Sequence, residues 1–287
     1  MFIRSKLFVP GSRPELFDKA AASAADAICF DLEDAVAPDR KSDARASVAA
    51  FLRSQATCKP RKITIVRVNG IGTPWFATDL EAIAGAEPDV INLPKVESAA
   101  DIHFALDAIA RLQLQIPILA NIETPKGVRL AFEIAAADPR VIGLQLGFAD
   151  LFLPLGIDRR DPSAPQFVRV AVRLAAGEAG IPVYDAAFPD IRNLEQCRAE
   201  AEAARSLGFA GKSCIHPSQI AIVNETFAPR PTEIQHAEKV LLAAREASER
   251  GVQAFVVDGQ LIDAPMIGHA RAVAEAARAY SGSVDVN

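Results

Sequence analysis

The chain has 287 residues, half of them apolar, a size and composition that suit one (β/α)₈ barrel with a large core. Charged residues make up 23%, which excludes a disordered chain, and a net charge of −5 with no basic run excludes a nucleic-acid surface. No apolar run reaches membrane-helix length, Arg4 and Lys6 interrupt any signal core, and Cys29, Cys58, Cys197 and Cys214 form no CxxC pair. These features predict a cytoplasmic protein with reduced thiols.

In chain order, short apolar runs alternate with Ala-rich helical stretches. The strands are expected at Lys6–Val9, Ala27–Asp31, Ile63–Val68, Val90–Leu93, Ile118–Ile122, Ile142–Leu146, Pro182–Tyr184 and Ala210–Cys214. Each is nearly all apolar, the pattern of a parallel strand buried on both faces. The helices between them are expected at Arg13–Ser23, Asp39–Arg53, Phe76–Ala84, Ala99–Leu112, Gly127–Ala136, Pro165–Gly177, Asp190–Leu207 and Pro217–Phe227. Strict alternation favours a closed barrel over an open doubly wound sheet. The absence of GxGxxG and P-loop motifs removes the usual nucleotide-binding form of the open sheet.

After Phe227 the pattern changes to one long amphipathic helix opened by Pro231, a hairpin turning at Asp258–Gly259, and a last helix. The expected division is a catalytic barrel over residues 1–228 and a helix-hairpin-helix appendage over 229–287. A barrel does not need the appendage, so it is either an added layer or an arm that reaches a neighbouring subunit.

The C-terminal strand ends build the active site of such a barrel. Here they carry "FDLEDAV" (Asp31, Glu33, Asp34), "VRVNG" (Arg67), "LPKVES" (Lys95), "IETPKG" (Glu123), "GFADL" (Asp150), "VYDAAF" (Asp185) and "GKSCIHP" (Lys212, His216). Glu123 and Asp150 close successive apolar runs, so their carboxylates can converge above the barrel. Two carboxylates with open space suit Mg²⁺, which keeps waters and takes further oxygens from substrate. Arg67 could hold a substrate carboxylate or an enolate oxygen. The four histidines form no HxH or HExxH pair, which argues against zinc.

Each residue also has a plainer reading. Asp150 could cap the next helix, whereas Thr124 is a better cap than Glu123. Asp31, Glu33 and Asp34 suit ion pairing behind the metal ligands, and Asp34 could pin an arginine. Lys95 and Lys212 could be Schiff-base lysines, although two metal carboxylates make one unnecessary.

These stretches, together with "RSKLFVPGSRPELFDKA", "DAICFDLEDAVAPDRKSDAR" and "GQLIDAPMIGHA", run nearly end to end. In this order they resemble the citrate lyase β-subunit-like family of the HpcH/HpaI aldolase superfamily. The resemblance implies a Mg²⁺-dependent barrel enzyme that makes or breaks a carbon–carbon bond in a 3-hydroxyacyl-CoA. Malyl-, citramalyl- and citryl-CoA are examples, and the products are an acyl-CoA and an α-keto acid. It implies Glu123 and Asp150 as metal ligands, with Glu123 also touching substrate, and Arg67 as the arginine that binds substrate and enolate. Asp263 in "LIDAP" would be an acid/base delivered to an adjacent subunit, in a homo-oligomer such as a trimer or hexamer. Arg4, Lys6 and Lys212 are expected partners of CoA phosphates. Two alternatives share this site: a malate-synthase or thioesterase outcome, and the β-subunit of a multi-subunit citrate lyase acting on a carrier-bound thioester.

Overall fold

The computed structural model describes residues 2–55 and 62–281; Cys58 lies outside them. The chain forms two compact units, Ile3–Thr226 and Met1–Phe2 together with Phe227–Asn287.

The first unit is a closed barrel of eight parallel strands in sequence order. They are β1 (Ser5–Pro10), β2 (Ala27–Asp31), β3 (Ile63–Arg67), β4 (Val90–Leu93), β5 (Ile118–Ile122), β6 (Val141–Leu146), β7 (Val183–Asp185) and β8 (Gly211–Cys214). Residues of β2, β4, β5, β7 and β8 are buried throughout, because helices cover one face and the barrel interior receives the other. Ala27, Cys29, Ile65, Val90, Leu119 and Tyr184 pack together in one apolar cluster that fills the lower interior. Above it the lining turns polar, because the same alternation brings Asn92 and Asn121 in, joined by a 2.6 Å hydrogen bond.

Strand positions follow the sequence reading to within one residue at each end. Three helical segments differ, one of them because the helix expected from Asp190 begins at Leu194, after its Asn193 cap. The stretch expected as one helix over Gly127–Ala136 is two short helices, Pro125–Arg129 and Ala131–Ala135. A five-residue helix at Phe148–Phe152 follows β6 and is too short to produce a periodic signal. Asp150 therefore stands in the first turn of a helix rather than at the end of a strand. Cys29, Cys197 and Cys214 are free and buried.

The second unit contains the helices Pro231–Glu249 and Ala264–Ser281 and a hairpin of β9 (Phe255–Val257) with β10 (Gln260–Ile262). Its own core gathers Ala237, Val240, Val257, Ile262 and Ala270. The hairpin turns on Asp258 (φ 49°) and Gly259 (φ 81°), the two positive values that a tight two-residue turn requires. Asp263 lies between β10 and the last helix, is exposed, and its carbonyl accepts the first helical hydrogen bond from Ile267 N–H at 3.0 Å.

Candidate active site

β2 and β3 pair in register so that their last residues, Asp31 and Arg67, are direct partners. Arg67 Nε and Nη2 each donate a 2.7 Å hydrogen bond to Asp31, while Nη1 lies 3.0 Å from Glu33 and 3.8 Å from Asp34. Burial opposes the charge on both partners. The carboxylates of Asp31, Glu33 and Glu123 outweigh it and hold the Arg67 pKa above its usual value. Arg67 likewise outweighs the burial of Asp31 and keeps that carboxyl below the usual carboxylate range.

Glu123 follows β5 directly and is 2% exposed. Its Oε1 accepts the backbone N–H of Lys95 at 2.8 Å. Lys95 reaches this position with a positive φ of 52°, a strained conformation for a lysine. Its ammonium donates to Glu33 Oε1 at 2.8 Å and lies 3.4 Å from Asp34 and 3.7 Å from Asp150. Lys95 thus bridges three acids, two from the loop after β2 and one from the short helix after β6. An ammonium held by hydrogen bonds to carboxylates is a poor Schiff-base nucleophile.

Gly147 gives Glu123 its room. A Cβ at position 147 would stand 2.7 Å from Glu123 Cβ and closer still to Oε2. Burial first, then the nearby charges of Glu33 and Asp150, push the Glu123 pKa up to about 7 despite the opposing Arg67. The acids Asp31, Glu33, Asp34, Glu123 and Asp150 gather here with the cations Arg67, Lys95, Lys41 and Lys6, and Arg67 and Lys95 direct their side-chain hydrogen bonds to Asp31, Glu33 and Asp34 rather than to Glu123 or Asp150. A divalent cation held by Glu123 and Asp150 would offset the mutual repulsion that helps raise the Glu123 pKa. Among the described residues no three His, Cys, Asp or Glu side chains converge to enclose a metal. Glu123 and Asp150 would supply two carboxylate donors, and Mg²⁺ takes oxygen ligands and keeps several waters.

These residues surround a cavity of about 950 Å³, lined by Phe8, Arg67, Glu123, Gln145, Asp150 and Ser213 among others. Gln145 and Ser213 carry no charge, although Ser213 lies within the "GKSCIHP" strand end. The only sequence signal for them is alternation, two residues before Gly147 on β6 and two before Ile215 beyond β8.

Three expected CoA partners stand elsewhere. Arg4 precedes β1, at the opposite end of the barrel, and makes hydrogen bonds of 2.9 and 2.8 Å to the Asp26 carboxylate. Lys212 projects outward from β8 and donates to Asp185 Oδ2 and the Ala186 carbonyl, each at 2.6 Å. Asp185 also receives Arg169 at 2.9 and 3.0 Å, so this ion cluster ties β7 and β8 to a surrounding helix. Lys6 lies inside the barrel, 2% exposed. None of the three presents an open cation to a phosphate at the rim. Asp263 belongs to the second unit.

The sequence model of the HpcH/HpaI aldolase/citrate lyase family matches residues 4–217. The chain belongs to this family. It is 42% identical over 284 residues to a (3S)-malyl-CoA thioesterase of Cereibacter sphaeroides, covering 98% of this chain and 97% of the relative. It is 37% identical to the citrate lyase subunit beta of Escherichia coli, covering 94% of this chain and 91% of that one. A solved structure of CitE from Mycobacterium tuberculosis, in complex with magnesium, acetoacetate and coenzyme A, superposes with a TM-score of 0.77. It has 37% identity and covers 96% of this chain and 98% of that chain. Membership makes this barrel an enzyme of the lyase type. No described helix is long and apolar enough to cross a membrane.

Proposed function

We propose that this chain is a Mg²⁺-dependent carbon–carbon lyase that cleaves or forms a 3-hydroxyacyl-CoA, giving an acyl-CoA and an α-keto acid. The observation that carries the reading is the buried Glu123 carboxylate coupled to Asp150 at one cavity mouth, beside an Arg67 clamped by Asp31. The magnesium, acetoacetate and coenzyme A bound by the CitE neighbour support it. So does a second CitE structure complexed with oxaloacetate and magnesium, 38% identical, with a TM-score of 0.68, covering 79% of this chain and 98% of that chain.

Glu123 and Asp150 would hold the ion, which when bound stabilises negative charge on substrate oxygens. In the cleaving direction a base removes the 3-hydroxyl proton and the C2–C3 bond breaks. The electron pair passes into the thioester as an enolate. Asp31 and Glu33 hold Arg67 in place, and its remaining N–H groups are available to the oxygen on which charge develops. Asp263 of an adjacent subunit returns a proton to the enolate carbon. That step requires a homo-oligomer, a trimer or hexamer in which the C-terminal unit acts as a lid. We assign the enzyme to the cytoplasm.

The test is turnover of malyl-, citramalyl- and citryl-CoA by the purified protein, followed as keto acid released. Activity should cease in EDTA and return with Mg²⁺; full turnover in EDTA rejects the metal assignment. A second reading, thioester hydrolysis at the same site, draws on the relative named a (3S)-malyl-CoA thioesterase. Free CoA thiol appearing with intact hydroxy acid would select it. Turnover only of a carrier-bound thioester would select the citrate lyase subunit role instead.

A further inference from the structure

Lys6 has no role in the chemistry just described. It sits on β1, and its ammonium lies 4.7 Å from the centroid of the Phe8 ring, two residues nearer the mouth. Phe8 lines the cavity, and the Arg67 guanidinium lies over the same ring at 5.1 Å. Ser213, the register partner of Lys6 on β8, also lines the cavity, as does Gln145 on β6. The cavity therefore reaches the register partner of Lys6, while the buried Lys6 side chain is not itself part of the lining.

On the inner faces of β1, β8 and β6 three side-chain atoms are buried without a hydrogen-bond partner: Lys6 Nζ, Ser213 Oγ and Gln145 Oε1. The other cations around the mouth have dedicated carboxylates, Asp31 for Arg67 and Glu33 for Lys95. Burial pulls the Lys6 pKa down to about 8, so it is still largely an ammonium at neutral pH. A buried ammonium without a hydrogen-bond acceptor is costly; the charges of Glu123 and Asp31 offset part of that cost, and an arriving anion would offset more.

We propose that Lys6 and Ser213, with Gln145 beside them, form an anion-receiving floor, so that the preferred keto acid carries a second carboxylate. The inference rests on the lyase reading for its substrate class. A carboxylate would accept from the Lys6 ammonium and the Ser213 hydroxyl, and the Gln145 carboxamide can present either of its ends. Glyoxylate and pyruvate hold one carboxylate, which the ion and Arg67 would engage. A dicarboxylic keto acid has another to send down the barrel. Lys6 is on this account a specificity-determining residue.

The experiment compares oxaloacetate, pyruvate and glyoxylate as partners of acetyl-CoA in the condensing direction with Mg²⁺. It is paired with titration calorimetry of the same acids onto the Mg²⁺-loaded protein. Wild type should prefer oxaloacetate by at least about tenfold in both kcat/KM and affinity. Lys6→Met should remove that preference while changing the pyruvate and glyoxylate values less than about threefold. Without ligand it should unfold no lower than wild type, since it removes an unpaired charge. Equal loss for all three acids, an unchanged preference, or a wild type that binds pyruvate as tightly as oxaloacetate overturns the proposal. If Lys6→Met does not fold, Ser213→Ala decides by the same preference. Selective binding without any turnover would sink the lyase reading and keep the floor; turnover without selectivity would do the reverse.

Discussion

Arg67 and Asp31 end adjacent strands as register partners and are joined by two hydrogen bonds of 2.7 Å. The bidentate clamp orients the guanidinium before any substrate arrives. Asp31→Asn keeps the shape and removes the charge. It should lower stability by about 3 kcal/mol, as breaking a buried pair does, measured by urea unfolding at pH 7. The folded pKa of Asp31 is depressed, so its contribution is complete above the unfolded carboxylate value and disappears as pH falls through the folded one. The gap between wild type and variant should therefore persist at neutral pH and close below about pH 4.

Gly147→Ala tests the position of the Glu123 carboxylate. The backbone at Gly147 is extended (φ −127°), so alanine causes no strain by itself, but its Cβ would collide with Glu123. The fold should survive with a loss of about 1–3 kcal/mol. Turnover should fall by about a hundredfold or more, with the Mg²⁺-induced rise in melting temperature lost. An alanine variant that keeps both would show that Glu123 is free to move.

The two acids should respond differently to amidation. Glu123→Gln removes a carboxylate whose charge burial and Glu33 already oppose, so the metal-free fold should be as stable as wild type or more so. Asp150→Asn alters a partly exposed side chain and should shift stability by less than about 0.5 kcal/mol. Both should cut Mg²⁺-dependent turnover by at least about a hundredfold. Urea titrations in EDTA and activity across a Mg²⁺ series measure the two effects.

Lys6 gives a pH signature of opposite sense to Asp31. Its folded pKa is lowered from 10.5 to about 8, so between these values the unfolded chain binds the extra proton. Stability then rises with pH across that window. Measured against Lys6→Met to cancel the other titrations, wild type should gain roughly 3 kcal/mol between its folded and unfolded pKa values. No change in that difference would mean the ammonium is solvated or paired.

Much of the site was legible residue by residue. Asp31, Arg67, Glu123 and Asp150 are charges at the ends of apolar runs, and their placement at one mouth follows from parallel strands alone. The clamp between Asp31 and Arg67 was not legible, because strand ends carry no record of register. Lys95 was visible only as a lysine near a strand end; its left-handed backbone, which aims an N–H at Glu123, depends on the loop around it.

The spacing of apolar runs and helices was by itself enough to determine the eight-stranded alternation, the change of character after Phe227, and the concentration of acids at one barrel end. Only the tertiary structure decided the fates of Arg4, Lys6 and Lys212: one at the far end, one inside, one facing the helices. The physical reason is that a strand buried on both faces shows no polar–apolar phase. Lys212 and Ser213 are neighbours in the chain, yet closure of the barrel sends one outward to Asp185 and turns the other into the cavity.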